Sequence, residues 1–379
     1  MFLRQLIQQR RRRIPNMASY RSLRDFDWPM IVLACAICAL GVLQIFSATH
    51  DTDSTGVWWK QIVWVLGGFL VMWIATLIDY HTLLGQVPIL YSLSVATLIA
   101  TDAVGMTAFH SKRWIGTQSL HLQVSEFVKL VIVLLVARYV TELKTEQLEL
   151  NDLLKLGGLV ALPMGLVMIQ PDLGTALTYL PVLAVGIFLA GLRWQYAVAI
   201  LLVAGLMIPI AYHFVLKDYQ KERLTGFTDL NQDPKGMGYQ VIQSKIAVGS
   251  GALWGRGVTK GTQTQGRFLP VASKDFILSA FAEEHGFVGV IVVLGLYFLL
   301  LMEIVQNAQT APDRAGMYIC MGIASVFLFH VLVNAGMVVG RMPVTGIPLP
   351  LMSYGGSNIL AVFLMLGLVN NVRLRRFVN

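Results

Sequence analysis

The chain has 379 residues, 56% of them hydrophobic and only 13% charged, with a mean hydropathy of +0.65; this excludes an ordinary soluble domain and indicates a polytopic membrane protein. The net charge of +8 is carried at the termini and between apolar runs, as orientation signals are, so nucleic acid is not an expected partner. Cys35, Cys38 and Cys320 all lie inside apolar stretches and read as small core residues, not as a disulfide or a metal site.

In chain order, residues 1–28 hold seven Arg and no apolar core of signal-peptide length, so this basic segment is expected to stay cytoplasmic. Apolar runs long enough to cross a bilayer, roughly 20 residues, follow at 29–48, 61–78 and 83–101. A polar loop with Arg113 leads into 124–139, an apolar run that contains both Glu126 and Lys129. At a spacing of three these two share a helix face and can neutralise each other, which lowers the cost of burying either. They read as part of a site or as an ion pair that only holds helices together.

The run 156–169 is short, contains Pro163 and ends in Gln170-Pro171-Asp172-Leu173-Gly174-Thr175, the pattern of a tight turn at the membrane surface. Runs 173–190 and 196–214 come before the long polar segment, and 276–302, 317–339 and 351–369 come after it. The expected architecture is therefore an all-α polytopic membrane protein of about ten transmembrane helices. Helices 1–7 fall in 29–214, a large extracytoplasmic loop in 215–274, helices 8–10 in 275–371 and a cytoplasmic C-terminus in 372–379. With both termini inside, most Lys and Arg of the short connections are cytoplasmic; the long loop is exempt from that bias. Asp275 then faces outward, where ATP and nucleotide sugars are not available.

Between Lys217 and Lys274 the long segment carries nine Lys/Arg against four Asp/Glu, a balance that suits an anionic group such as a phosphate. A solvated loop with ordinary surface charge is the plain alternative. The Gly-rich run 249–266 lacks the Gly-Lys-Ser/Thr ending of a P-loop.

Five stretches carry a family resemblance: YQVIQSKIAVGSGALWGRG from Tyr239, GTQTQGRFLP from Gly261, KDFILSAFAEEHG from Lys274, QPDLGT from Gln170 and GIPLPLMSYGGS from Gly346. They resemble, in order and over most of the chain, the SEDS proteins of bacterial cell-wall synthesis, and QSKIAVGSG with GTQTQ is more similar to the elongation branch than to the division branch. The resemblance implies a ten-span peptidoglycan glycosyltransferase in the inner membrane, polymerising lipid II on its outer face. Lipid II carries its own pyrophosphate leaving group, so an outward site needs no ATP.

The family's essential carboxylate falls on Asp275, which would take the proton from the acceptor's GlcNAc 4-hydroxyl as that oxygen attacks the donor's anomeric carbon. Inversion of the α-linked donor to a β-1,4 bond follows from one in-line displacement. The alternative role of Asp275 is a helix N-cap. Arg113, Lys129, Arg223 and Lys245 are the candidates for stabilising the departing pyrophosphate, with the two arginines able to grip it bidentately. Glu126 would hold Lys129 in place. Glu283 and Glu284, about two helical turns past Asp275, read as structural or gating groups, and His285 and His330 as helix-packing residues.

Two departures from the family pattern stand out. The usual Pro-Ser-Glu is Val124-Ser125-Glu126, and the usual Pro-Glu-x-His-Thr-Asp reads Pro270-Val271-Ala272-Ser273-Lys274-Asp275. Lys274 would either lower the basicity of Asp275 or hold a substrate anion. The Gly-rich stretch from Gly346 reads as a close approach to substrate or as a packed re-entrant turn.

By resemblance the partners are a class B penicillin-binding protein transpeptidase and the membrane proteins of the elongation complex. No organic cofactor is expected, and a divalent metal on the pyrophosphate stays open. The rival functions are a lipid-linked glycan transporter, or flippase, and a non-catalytic scaffold of a cell-wall complex.

Overall fold

The computed structural model describes residues 25–50, 56–104, 106–108, 111–116, 121–143, 148–215, 221 and 237–376. Each of the ten apolar runs coincides with a helix or a helix pair. In order these are α1 (Trp28–Thr49), α2 (Val57–Leu77), the short α3 (Tyr80–Gly85) with α4 (Val87–Val104), α5 (Val124–Glu142), α6 (Leu150–Ile169), α7 (Leu173–Leu177) with α8 (Tyr179–Leu189) and α9 (Trp194–Ile210), which runs on into a π turn, Ala211–Val215. Then come α10 (Met237–Ser250), α11 (Thr262–Gln265), α12 (Ile277–Gln309), α13 (Arg314–Val338) and α14 (Gly356–Arg375). Among the described residues, six helices are long and apolar enough to cross a membrane: α1, α2, α6, α12, α13 and α14. The chain is a helical, multi-pass membrane protein.

One feature differs from the expected all-α chain. Residues 106–123 contain a three-stranded antiparallel sheet, β1 (Met106–Ala108), β2 (Ser111–Gly116) and β3 (His121–Gln123), in the order β1-β2-β3. The sheet pairs the backbone of a polar connection that would otherwise need water or side chains to satisfy it. Within the 215–274 segment, α10 and α11 pack beside α12.

Local sequence explains several helix starts. Asp27 accepts the N–H of Met30 at 3.2 Å at the head of α1, Asp172 that of Thr175 at 3.2 Å at the head of α7, and Asp313 that of Gly316 at 2.7 Å at the head of α13, the usual way a short polar side chain satisfies an orphan donor. α13 and α14 form the interior, with 72% and 78% of their apolar windows buried; α2 packs on α14, and α5, α8 and α12 pack on α13. At its C-terminal end α14 is tied to α1 by Asp27, which accepts from Arg373 at 3.1 Å and from Asn307, and whose N–H goes to Asn370 at 3.0 Å.

α12 is not one straight rod. Gly286 breaks it with φ 67° and ψ −168°, and a Cβ there would come within 2.3 Å of the Gly255 nitrogen, so both the backbone angle and the contact require glycine. The break lets Phe287 and Val288 donate to the carbonyls of Ala252 and Leu253 at 2.9 and 3.1 Å, which docks the 251–257 turn onto the helix.

Candidate active site

Asp275 lies two residues ahead of α12 and is half-buried. The N-cap position of α12 is held by Phe276, whose side chain makes no capping bond, so Asp275 stands one residue ahead of that position. The backbone from Ser273 to Asp275 is held by α13 and by residues 346–355. Asn334 Nδ2 on α13 donates to the Asp275 carbonyl at 3.0 Å and to the Ile347 carbonyl at 2.9 Å. Ser353 Oγ donates to the Lys274 carbonyl at 2.7 Å while accepting from the Leu349 nitrogen at 2.9 Å, and the Tyr354 nitrogen donates to the Ser273 carbonyl at 2.9 Å. Gln61 on α2 grips the same strand, giving Nε2 to the Ser353 carbonyl at 3.1 Å and taking the Gly355 N–H at 3.3 Å.

The consequence is that residues 346–355 form a strap over residues 273–275. Gly346 faces the carboxylate: a Cβ on it would stand 3.7 Å from Asp275 Oδ2, and its φ of +72° favours glycine. The Lys274 ammonium is 6.0 Å from the centroid of the Tyr354 ring. Burial holds the Lys274 ammonium below its ordinary pKa; the Asp275 charge opposes that and the Arg113 charge adds to it.

Arg113 projects from β2, with its guanidinium 3.4 Å from Asp172. Asp172 is nearly buried and also accepts from Gln123 Nε2 at 2.6 Å and Thr175 Oγ1 at 2.9 Å. The next turn of backbone joins this group to the strap, because Gly174 sits so close to the Thr345 carbonyl that a Cβ would be 2.4 Å from it. Among the described residues the buried Arg113 Nε and Thr345 Oγ1 have no hydrogen-bond partner, which leaves donor capacity beside the strap.

The other expected cations are spread out. Arg223 lies outside the described residues. Lys245, on α10, is exposed, and its stem runs beside Gly340 at the end of α13. Lys129 is only 1% exposed. Its ammonium is 2.8 Å from Glu126 Oε2 and 3.4 Å from His330 Nε2, and Glu126 Oε2 also accepts from Asn358 at 3.0 Å. The pair is thus an interior group that joins α5, α13 and α14.

Glu283 and Glu284 are 0% and 1% exposed and each collects donors from residues 263–265 of the long segment. Glu283 accepts the N–H groups of Gln263 and Thr264 at 2.7 and 3.0 Å and the Thr264 hydroxyl at 2.7 Å, so its carboxylate sits at the N-terminus of α11. Glu284 accepts from Ser47 at 2.5 Å, Gln44 at 3.3 Å and Gln265 at 3.4 Å, which ties α1 to the same turn. His285 Nδ1 pairs with the Phe281 carbonyl at 3.3 Å, within its own helix. Among the described residues no cluster of three or more His, Cys, Asp or Glu could hold a metal ion.

Two residues that shape the site, Gln61 and Asn334, were not singled out from the sequence, while Asp172 and Ser353 lay in quoted stretches without an assigned role. Gln61 and Asn334 carried one signal, an amide inside an apolar run, which is costly unless it has partners.

The family model for FtsW, RodA and SpoVE, described as cell cycle protein, matches residues 27–376. The peptidoglycan glycosyltransferase MrdB of Escherichia coli (strain K12) is 36% identical, over 96% of this chain and 97% of its own. The peptidoglycan glycosyltransferase RodA of Treponema pallidum is 32% identical, over 94% and 99%. Among solved structures, a peptidoglycan synthase complex that coordinates polymerization and crosslinking superposes with a TM-score of 0.79 at 34% identity, covering 93% of this chain and 98% of that one. The rod shape determining protein RodA of Thermus thermophilus superposes with a TM-score of 0.69 at 29% identity, over 93% and 98%.

Proposed function

The chain belongs to the FtsW, RodA and SpoVE family of cell cycle proteins, the SEDS proteins, and is a peptidoglycan glycosyltransferase; we propose that it polymerises lipid II during cell elongation with Asp275 as general base. The observation that carries this reading is the placement of Asp275. Its backbone is held at three successive carbonyls, Ser273, Lys274 and Asp275, and its carboxylate faces a glycine that leaves the approach open. A catalytic base has to be held in this way if a proton is to move at a defined geometry.

In the proposed step the acceptor's 4-hydroxyl oxygen bonds to the donor's anomeric carbon. Its proton passes to the Asp275 carboxylate, and the carbon–oxygen bond to the pyrophosphate breaks with the electron pair leaving on undecaprenyl pyrophosphate. Attack from the face opposite the leaving group inverts the α-linked donor to a β-1,4 bond. Arg113, oriented by Asp172, is the cation best placed to take up the growing charge on the pyrophosphate; Arg223 and Lys245 would contribute from the outer segment.

Ten membrane crossings, cytoplasmic termini and an outward site complete the reading. It is supported by the ten apolar runs and by the charge bias of the short connections. A class B penicillin-binding protein transpeptidase and other membrane proteins of the elongation complex are the proposed partners; a solved structure of similar fold is itself a complex of polymerization and crosslinking.

The test is Asp275→Asn, which keeps size but cannot accept a proton. Purified protein with its transpeptidase partner would be given labelled lipid II and the products separated by length. Long strands are expected from the parent and a loss of roughly 100- to 10,000-fold from the variant. Strands of equal length and rate from both would remove Asp275 as the base.

A further inference from the structure

α13 presents two buried polar side chains one turn apart, His330 and Asn334, to consecutive carbonyls of the strap. Asn334 donates to Ile347 at 2.9 Å, and His330 Nδ1 meets the Pro348 carbonyl at 3.0 Å. Behind His330, its other ring nitrogen faces the Lys129 ammonium at 3.4 Å, and that ammonium is neutralised by Glu126 at 2.8 Å.

The chemistry of this chain of contacts fixes the proton. An ammonium has only hydrogens to give, so Nε2 must face it with a lone pair. The proton of the neutral imidazole then lies on Nδ1, where a carbonyl oxygen accepts it. The opposite tautomer would point an N–H at an ammonium and a ring lone pair at a carbonyl, two repulsive contacts in a buried site where neither is screened. The strap depends on such contacts, because Pro348 and Pro350 have no N–H of their own to anchor it.

We propose that Lys129 and His330 are positioning residues: the buried ammonium locks the imidazole in the tautomer that holds the Pro348 carbonyl, and so sets the strap whose Gly346 faces Asp275. This rests on Asp275 being the base, and it gives Lys129 a role through His330 in place of contact with the pyrophosphate.

Two measurements on the full-length protein with its partner test it. In bilayers, ¹⁵N spectra of the histidines should contain a neutral, Nδ1-protonated ring whose signals vanish in His330→Asn; an Nε2-protonated or a doubly protonated ring at that position overturns the lock. In steady-state kinetics on lipid II, His330→Asn puts an amide N–H where Nδ1 stands and should keep activity within a few-fold of the parent. His330→Gln puts it at the far end of the ring and should lower kcat by about 100-fold, the cost of misplacing a reacting group by an ångström, with KM unchanged. Lys129→Met should follow the His330→Gln pattern, a fall in kcat at constant KM.

A rise in KM at constant kcat for Lys129→Met would make Lys129 a substrate ligand and overturn the proposal. Equal losses in His330→Asn and His330→Gln would reduce His330 to a packing residue and overturn it as well. A parent that makes no strands from lipid II would instead defeat the assigned reaction, while the ¹⁵N spectrum would still decide the tautomer.

Discussion

The guanidinium of Arg113 and the carboxylate of Asp172 meet at 3.4 Å, although one lies on a short strand and the other caps a short helix. Asp172 is therefore placed to orient Arg113, as well as being the cap of α7. Asp172→Asn keeps the cap, since an amide oxygen can still accept from Thr175, but it removes the charge that aims Arg113. Loss of such a charged contact costs about 1.5–3 kcal/mol, so KM for lipid II should rise roughly 10-fold or more; thermal stability should fall as well, because the oxygen that accepts from Gln123 and the Thr175 hydroxyl becomes a donor. A fall in stability without a change in KM would make Asp172 a cap alone.

Glu283 gives a prediction of the opposite kind. Its carboxylate accepts two backbone N–H groups and the Thr264 hydroxyl at the start of α11, and Thr262 and Ser250 add longer contacts at 3.3 and 3.4 Å. Glu283→Gln turns one acceptor into a donor that faces donors. The destabilisation should be about 1–3 kcal/mol, and hydrogen exchange of the 262–266 amides should speed up more than that of α13. Unchanged protection at 262–266 would show that α11 holds without the carboxylate.

The helices were legible because an apolar run of bilayer length has few other outcomes, and Glu126 with Lys129 was legible because a spacing of three is local. His330 is 201 residues from Lys129, and no local pattern announces that contact. The same holds for Asn334 and Ser353, whose partners are backbone carbonyls of Ile347, Asp275 and Lys274; a carbonyl has no sequence signature. The sheet at 106–123 was missed because β1 and β3 have three residues each, too short for a period of two to stand out. The break at Gly286 was hidden in an otherwise apolar helix, where one glycine is tolerated and becomes necessary only through the docked 251–257 turn.

A cluster at the other end of the helices from Asp275 has its own pH dependence. His81 bridges Asp79 at 3.0 Å and Asp313 at 2.7 Å, and Arg375 approaches Asp79 at 3.4 Å. Burial pulls the His81 pKa down, but its hydrogen bonds to both carboxylates and their charges outweigh this and raise it above 6.5. Burial likewise pushes the Asp79 pKa up, but the hydrogen bonds from His81 and the charges of Arg375 and His81 outweigh this and hold it below 3.8. A raised histidine adds stability that is complete below its unfolded pKa and is lost as pH rises through the folded one; a lowered aspartate adds stability that is lost as pH falls through its folded value. The cluster should therefore be strongest between these limits, and the melting temperature should fall as pH rises from about 6 to about 8, past the ordinary histidine range. His81→Gln should flatten that slope, and an unchanged slope would exclude His81 as its source.

Lys274 supplies the last test, because it stands where the family pattern has threonine and its ammonium is held below 10.5 by burial against the opposing pull of Asp275. A lysine with a lowered pKa loses its charge as pH rises through that value, so any help it gives to an anionic substrate disappears on the alkaline side. The parent should then show a basic limb in kcat/KM for lipid II. Lys274→Arg keeps a cation that stays protonated throughout, and its basic limb should move to higher pH; Lys274→Met should lose that limb and show the lower, alkaline activity at all pH values. Lysine and arginine forms with coincident basic limbs would show that the limb belongs to another group, and that Lys274 serves packing against Tyr354 alone.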